Sequence, residues 1–224
     1  MKTPILKSKS TRSVLWLFIF SGYCLSLLLF RIWMTGSFFY LFLVWNLFLA
    51  YIPFGISYVV KRYHERYFYG FFALWLAFLP NAPYILTDIF HLNKQSTMPQ
   101  WFDLLIVLSF ALNGVLLFFI SLNAMYTSLL MRFSKVKTDG MMVVILFLSA
   151  FGIYIGRFLR WNTWDVVTNP LQLFRSVIDI FLNPSLHPRA WGFTLGYGIL
   201  LFFIFMFLRI FDPHTKNVNN NDLP

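Results

Sequence analysis

Two short stretches carry most of the side chains from which chemistry could be built. Asp88 and His91 lie three residues apart, a spacing that puts a carboxylate and an imidazole on one face of a helix. Such a pair can act as acid and base or supply two ligands to a metal. Arg157 and Arg160 have the same spacing, and two guanidiniums side by side offer fixed, bidentate donors suited to a phosphate or carboxylate. Asn81, Asp103, Asn162 and Asp165 complete the polar set. No metal is expected, because a catalytic zinc takes three protein ligands and the remaining histidines, His64 and His187, fall in distant segments. The sequence contains no nucleophile elbow, P-loop or dinucleotide fingerprint, so no cofactor and no standard soluble-enzyme chemistry are expected. A plainer reading stands beside the chemical one: both arginines reach the headgroup layer and pair with Asp88, Asp103 or Asp165 as surface clamps.

These residues are scattered through a very apolar chain. Of 224 residues, 59% are hydrophobic and only 12% charged, with a mean hydropathy of +0.69. Ordinary soluble domains carry about 25% charged residues. The net charge of +10 raises the question of nucleic acid, but the 18 Lys and Arg residues sit between apolar runs instead of forming one basic face. They read as topology signals and headgroup contacts, and no nucleic-acid partner is expected. Cys24 is the single cysteine, so no intrachain disulfide can form. The bulky Tyr23 before it disfavours lipoprotein-type cleavage, and the absence of an A-x-A-like site favours an uncleaved first helix.

The apolar runs predict an all-α integral membrane protein, a bundle of six transmembrane helices in one domain over residues 13–211. A basic cytoplasmic tail (1–12) precedes it, and a disordered, Asn-rich tail (212–224) follows. The spans are Val14 to Phe30, closed at the interface by Arg31 and Trp33; Phe38 to Val60; a third from Tyr67; Leu104 to Leu130; Met141 to about Trp161; and Trp191 to Ile210. The third run meets Pro80 and Pro83 after ~20 Å of helical rise, short of the ~30 Å hydrocarbon core, and must be broken, kinked or re-entrant there. Asn81 is placed to cap a short helix after the break. Leu171, Phe174, Val177, Ile178, Phe181 and Leu182 recur at helical spacing, predicting an amphipathic helix along the membrane surface between the fifth and sixth spans. Gly152 and Gly156 form a G-x-x-x-G spacing for close helix approach. Asn46 and Asn113 fall at similar depth and are expected to bond each other across two helices.

With the N-terminus inside, the inner segments hold four, three, three and two Lys and Arg residues and the outer segments hold six in all. The bias puts both termini in the cytoplasm. The unusual polar residues then gather on the outer side, at the helix-three break, the start of helix four and the end of helix five.

Several stretches together resemble the domain of unknown function 1361 family of bacterial multi-pass membrane proteins. They are Trp45-Asn46-Leu47 running to Pro53, Pro80-Asn81-Ala82-Pro83-Tyr84-Ile85-Leu86-Thr87-Asp88, Trp101-Phe102-Asp103, and Gly156-Arg157-Phe158-Leu159-Arg160-Trp161-Asn162 with Trp164-Asp165. The resemblance spans about residues 38–210. It implies a bacterial cell membrane and brings no established activity; Phe102 stands where the family pattern often has a tyrosine. The expected function is an outer-face site for an anionic lipid headgroup or lipid-linked substrate. In it Arg157 and Arg160 hold the anion, Asp88 and His91 orient or exchange protons, and Asn81 shapes the break. The alternatives are a non-catalytic subunit or assembly factor of a membrane complex, docking a membrane protein through residues 171–182, and a small-solute transporter.

Overall fold

The computed structural model describes residues 4–60, 67–92, 98–161 and 165–210. The basic cluster at 61–66, Asn162 and the tail from Asp212 therefore lie outside the described residues. Among the described residues regular structure is helical throughout: α1 (Pro4–Thr35), α2 (Phe42–Val60), α3 (Phe68–Phe78), α4 (Asn81–Tyr84), α5 (Gln100–Leu130), α6 (Lys135–Phe158), α7 (Asp165–Thr168), α8 (Pro170–Leu182) and α9 (Pro188–Ile210). Two 3₁₀ segments, Phe39–Leu41 and Ile85–His91, precede α2 and follow α4. Six stretches among these residues are long and apolar enough to cross a membrane: Val14–Thr35, Phe39–Val60, Phe68–His91, Gln100–Leu130, Lys135–Phe158 and Pro188–Arg209. The chain is a multi-pass helical membrane protein. Its contacts divide it into two compact units, Met1–Ser128 and Leu129–Pro224.

In the first unit, α1 ends at Gly36, whose φ of 65° lets its N–H fold back to the Ile32 carbonyl at 2.8 Å. α2 packs on α3 and α4, and the core is filled by Leu43, Ala50, Trp75, Leu79, Ile106 and Phe110, all fully buried. One hydroxyl ties three helices: Ser121 on α5 accepts from the Trp75 indole at 2.8 Å and donates to the Pro53 carbonyl of α2 at 3.0 Å.

The third span changes its hydrogen bonding at the prolines. Leu79 N–H still reaches four residues back to Trp75, but Ala82 N–H turns to Leu79, three back, and the remaining stretch tightens into the 3₁₀ form. Asn81 does not cap the helix that follows. It is the first residue of α4, and its Nδ2 donates back to the Phe78 carbonyl at 2.9 Å, an acceptor left over when the α pattern lapses. The broken segment is held tightly from behind: a Cβ on Gly114 of α5 would lie 2.5 Å from the Ala82 carbonyl oxygen. Only glycine allows the two backbones to meet there.

In the second unit α6 and α9 run antiparallel. Arg209 donates to Asp139 at 2.9 Å at one end, and Tyr154 and Phe158 meet Phe193 at the other. Between these ends Gly198 admits the ring of Phe147. α8 packs on this pair through Ile180 and Val177, with Phe181 edge-on to both Phe151 and Trp191. Its inward apolar face thus includes Ile180, outside the stripe read from spacing. Leu171, Phe174, Ile178 and Leu182 of that stripe remain exposed.

Candidate functional site

The polar residues of the first unit sort themselves by partner. Arg31 is not an interfacial residue closing α1; it is only 3% exposed, because α1 runs on to Thr35 and carries it inward. Its Nε donates to Asp103 Oδ1 at 2.7 Å and its second terminal nitrogen to Oδ2 at 3.4 Å. Tyr40 donates its hydroxyl to the same carboxylate at 3.4 Å and puts its ring face 4.5 Å from the guanidinium carbon. Fork, carboxylate and ring form a closed ion pair of the kind that survives burial because its donors and acceptors are matched. The turn after Gly36 adds the Ser37 carbonyl as a further acceptor for Arg31, at 3.5 Å. Phe102, beside Asp103, packs its ring on Phe30.

Asp88 is 1% exposed. It accepts from Asn46 Nδ2 at 2.8 Å, so α2 holds the carboxylate of the segment beyond the break. His91 is exposed, and its ring stands edge-on to Phe42, 5.3 Å between centroids. In a 3₁₀ segment residues i and i+3 eclipse, which keeps Asp88 and His91 on one edge while one points into protein and the other ends at the surface.

Asn46 and Asn113 do not bond each other. Each finds a nearer polar group on another helix: Asn46 takes Asp88, while Asn113 Nδ2 donates to Ser21 Oγ on α1 at 2.8 Å. Ser21 in turn shares a 2.7 Å contact with the Tyr51 hydroxyl and donates to the Leu17 carbonyl. Cys24 lies buried one turn further on.

In the second unit Arg157 stands in the last turn of α6, where a cation complements the exposed carbonyls. Arg160 lies beyond the helix, with φ at 58°. Leu159 is the cap, and the Trp161 N–H closes the turn on the Ile155 carbonyl at 3.3 Å. The helix that underlies the i, i+3 expectation stops between the two arginines, and a left-handed residue re-aims the chain there. Asp165 opens α7 and accepts from the Thr168 hydroxyl at 3.3 Å. Asp179 of α8 accepts from Asn183 at 2.7 Å and from His187 at 2.9 Å, fastening the turn into α9. These two donors hold its carboxyl below the usual range, Asn183 contributing most.

Sequence reasoning singled out Asp103 and Asp88 but missed Arg31, Tyr40 and Asn46 as their partners. Arg31 was hidden by its place at the end of an apolar run, and a longer estimate of α1 would have turned it inward.

No curated protein and no solved structure matches this chain. The family model described as "Protein of unknown function (DUF1361)" matches residues 45–204, taking in the helix-three break, Asp88, Asp103 and both arginines of the α6 end, and the chain belongs to that family.

Proposed function

We propose that the second unit binds the headgroup of an anionic lipid, or of a lipid-linked substrate, at the outer face of a bacterial cell membrane. The observation that carries this reading is the surface of α8. Its inner face is spent on α6 and α9, yet Leu171, Phe174, Ile178 and Leu182 remain exposed along one stripe. Such a helix lies in the headgroup boundary with that stripe in lipid. The polar surroundings are basic: residues 157–190 hold four arginines against two aspartates, and Asp179 already bonds Asn183 and His187. Arg160 supports the reading further. A non-glycine residue in the left-handed region costs free energy that glycine would avoid, so a guanidinium at that turn answers a need other than backbone geometry. Twelve Lys and Arg residues in the segments before the odd-numbered spans and after the sixth, against five in the others once the buried Arg31 is set aside, support cytoplasmic termini and hence an outer position for α8.

The test is lipid retention by the full-length protein. Native mass spectrometry after exchange into equimolar phosphatidylglycerol and phosphatidylcholine is expected to show preferential retention of the anionic lipid, reduced severalfold in R157Q/R160Q. Equal retention of the two lipids by the unmodified protein sinks the reading. A photocrosslinker at Phe174 tests the competing role in docking a partner: a protein adduct in native membranes, with no lipid adduct, favours that role instead.

A further inference from the structure

Two buried polar atoms at the start of α9 have no hydrogen-bond partner: Trp191 Nε1 and Thr194 Oγ1. Thr194 is 6% exposed. Buried polar atoms are satisfied in the great majority of cases, and leaving one unmade costs about 1–3 kcal/mol. Two on one helix, three residues apart and so on one face, require an explanation. That face is the one that meets α6, since Trp191 packs with the Phe151 and Tyr154 cluster and Gly198, a turn beyond Thr194, admits Phe147. An indole N–H and a hydroxyl form a pair of donors. What they lack is an acceptor.

The cover over Trp191 is α8. The Phe181 ring stands edge-on to Trp191 with centroids 5.2 Å apart, while Phe181 itself is half exposed. Thr194 lies about 9 Å along the helix from Pro188, a depth below the headgroup at which a glycerolipid presents its ester carbonyls. These carbonyl oxygens only accept.

We propose that the start of α9, under the Phe181 end of α8, is a seat for the glycerol ester region of a phospholipid. Trp191 Nε1–H and Thr194 Oγ1–H donate to an ester carbonyl oxygen. Entry requires Phe181 to swing off Trp191. The inference rests on the lipid reading above and deepens it: the arginines select charge, while Trp191 and Thr194 select the ester linkage.

The two selections can be scored separately in one experiment. Full-length protein is offered diacyl phosphatidylglycerol against its dialkyl ether analogue, and in parallel diacyl phosphatidylglycerol against diacyl phosphatidylcholine, with retained lipid read by native mass spectrometry. The diacyl form is expected to be retained over the dialkyl form by about fivefold, one hydrogen bond's worth. T194V and W191F bring that ratio to near one and leave the preference for phosphatidylglycerol over phosphatidylcholine intact. T194V also unfolds at or above the temperature of the unmodified protein, because a methyl in place of a partnerless hydroxyl needs no acceptor. No ester preference in the unmodified protein, or one that survives T194V, overturns the proposal. Loss of the charge preference with the ester preference kept strikes only the headgroup reading.

Discussion

Arg31 and Asp103, 72 residues apart in sequence, meet at 2.7 Å with their side chains 4% and 0% exposed. Removing one partner leaves the other charged and buried, which costs about 3–5 kcal/mol, whereas replacing both with apolar groups of similar volume is close to neutral. R31M and D103L alone are therefore expected to unfold at much lower temperature in detergent, and R31M/D103L to recover most of the loss. Additive losses in the double variant would show that the two charges do not stabilise each other.

The contact of Gly114 with Ala82 predicts a ranking among glycines. A methyl at Gly114 meets a backbone oxygen at 2.5 Å that cannot step aside, so G114A is expected to cost about 1–3 kcal/mol, as overpacking does. G198A meets the Phe147 ring, a side chain with some freedom to rotate, and is expected to cost less. G22A and G192A face open space and should be near neutral. Thermal unfolding of the four variants checks the order, and equal tolerance at positions 114 and 22 would contradict the close approach.

Arg160 offers a test in which two measurements move in opposite directions. R160G removes the strain of a left-handed arginine and is expected to stabilise the α6 end by about 1 kcal/mol. The same change removes a guanidinium and is expected to weaken anionic-lipid retention. A rise in unfolding temperature with unchanged retention would assign Arg160 no part in binding.

Asp179 gives the α8–α9 turn an acid limit. Its carboxyl is held below 3.8 in the folded protein by Asn183 and His187. A depressed folded value contributes stability above the unfolded value, and that stability is lost as pH falls through the folded one. Hydrogen exchange in the turn at Asn183–His187 should thus stay slow down to about pH 4 and quicken below it. N183A should lower protection already near neutral pH and shrink the further loss below about pH 4, because it removes the larger of the two effects; protection unmoved by N183A would mean that Asp179 does not fasten the turn.

Much of this architecture could be read before any coordinates. Uncharged runs of spanning length announce six helices because lipid demands them, and Pro80 and Pro83 announce a lapse in hydrogen bonding because proline has no N–H to give. Partnerships were less legible. Depth along a helix can be counted, which made Asn46 and Asn113 look like a pair, but rotation about the helix axis cannot be counted across a loop, and rotation is what gave them to Asp88 and Ser21. Arg160 marks a related limit: i, i+3 spacing implies a shared face only while the helix continues, and α6 stops at Phe158. Arg31 and Tyr40 lie before the family-matched stretch that contains Asp103, so the motif pointed to one half of the ion pair only.

Asp103, Asn113 and Ser121 all belong to α5, and each serves an earlier helix: Arg31 and Ser21 of α1, Trp75 of α3 and the Pro53 carbonyl of α2. A nascent chain that has made only α1 to α3 therefore enters the membrane with a buried-to-be guanidinium and an indole N–H whose acceptors on α5 are not yet made. The first three spans cannot finish their assembly until the fourth is synthesised, so biogenesis of this half of the protein has a built-in waiting step that ends when α5 leaves the ribosome.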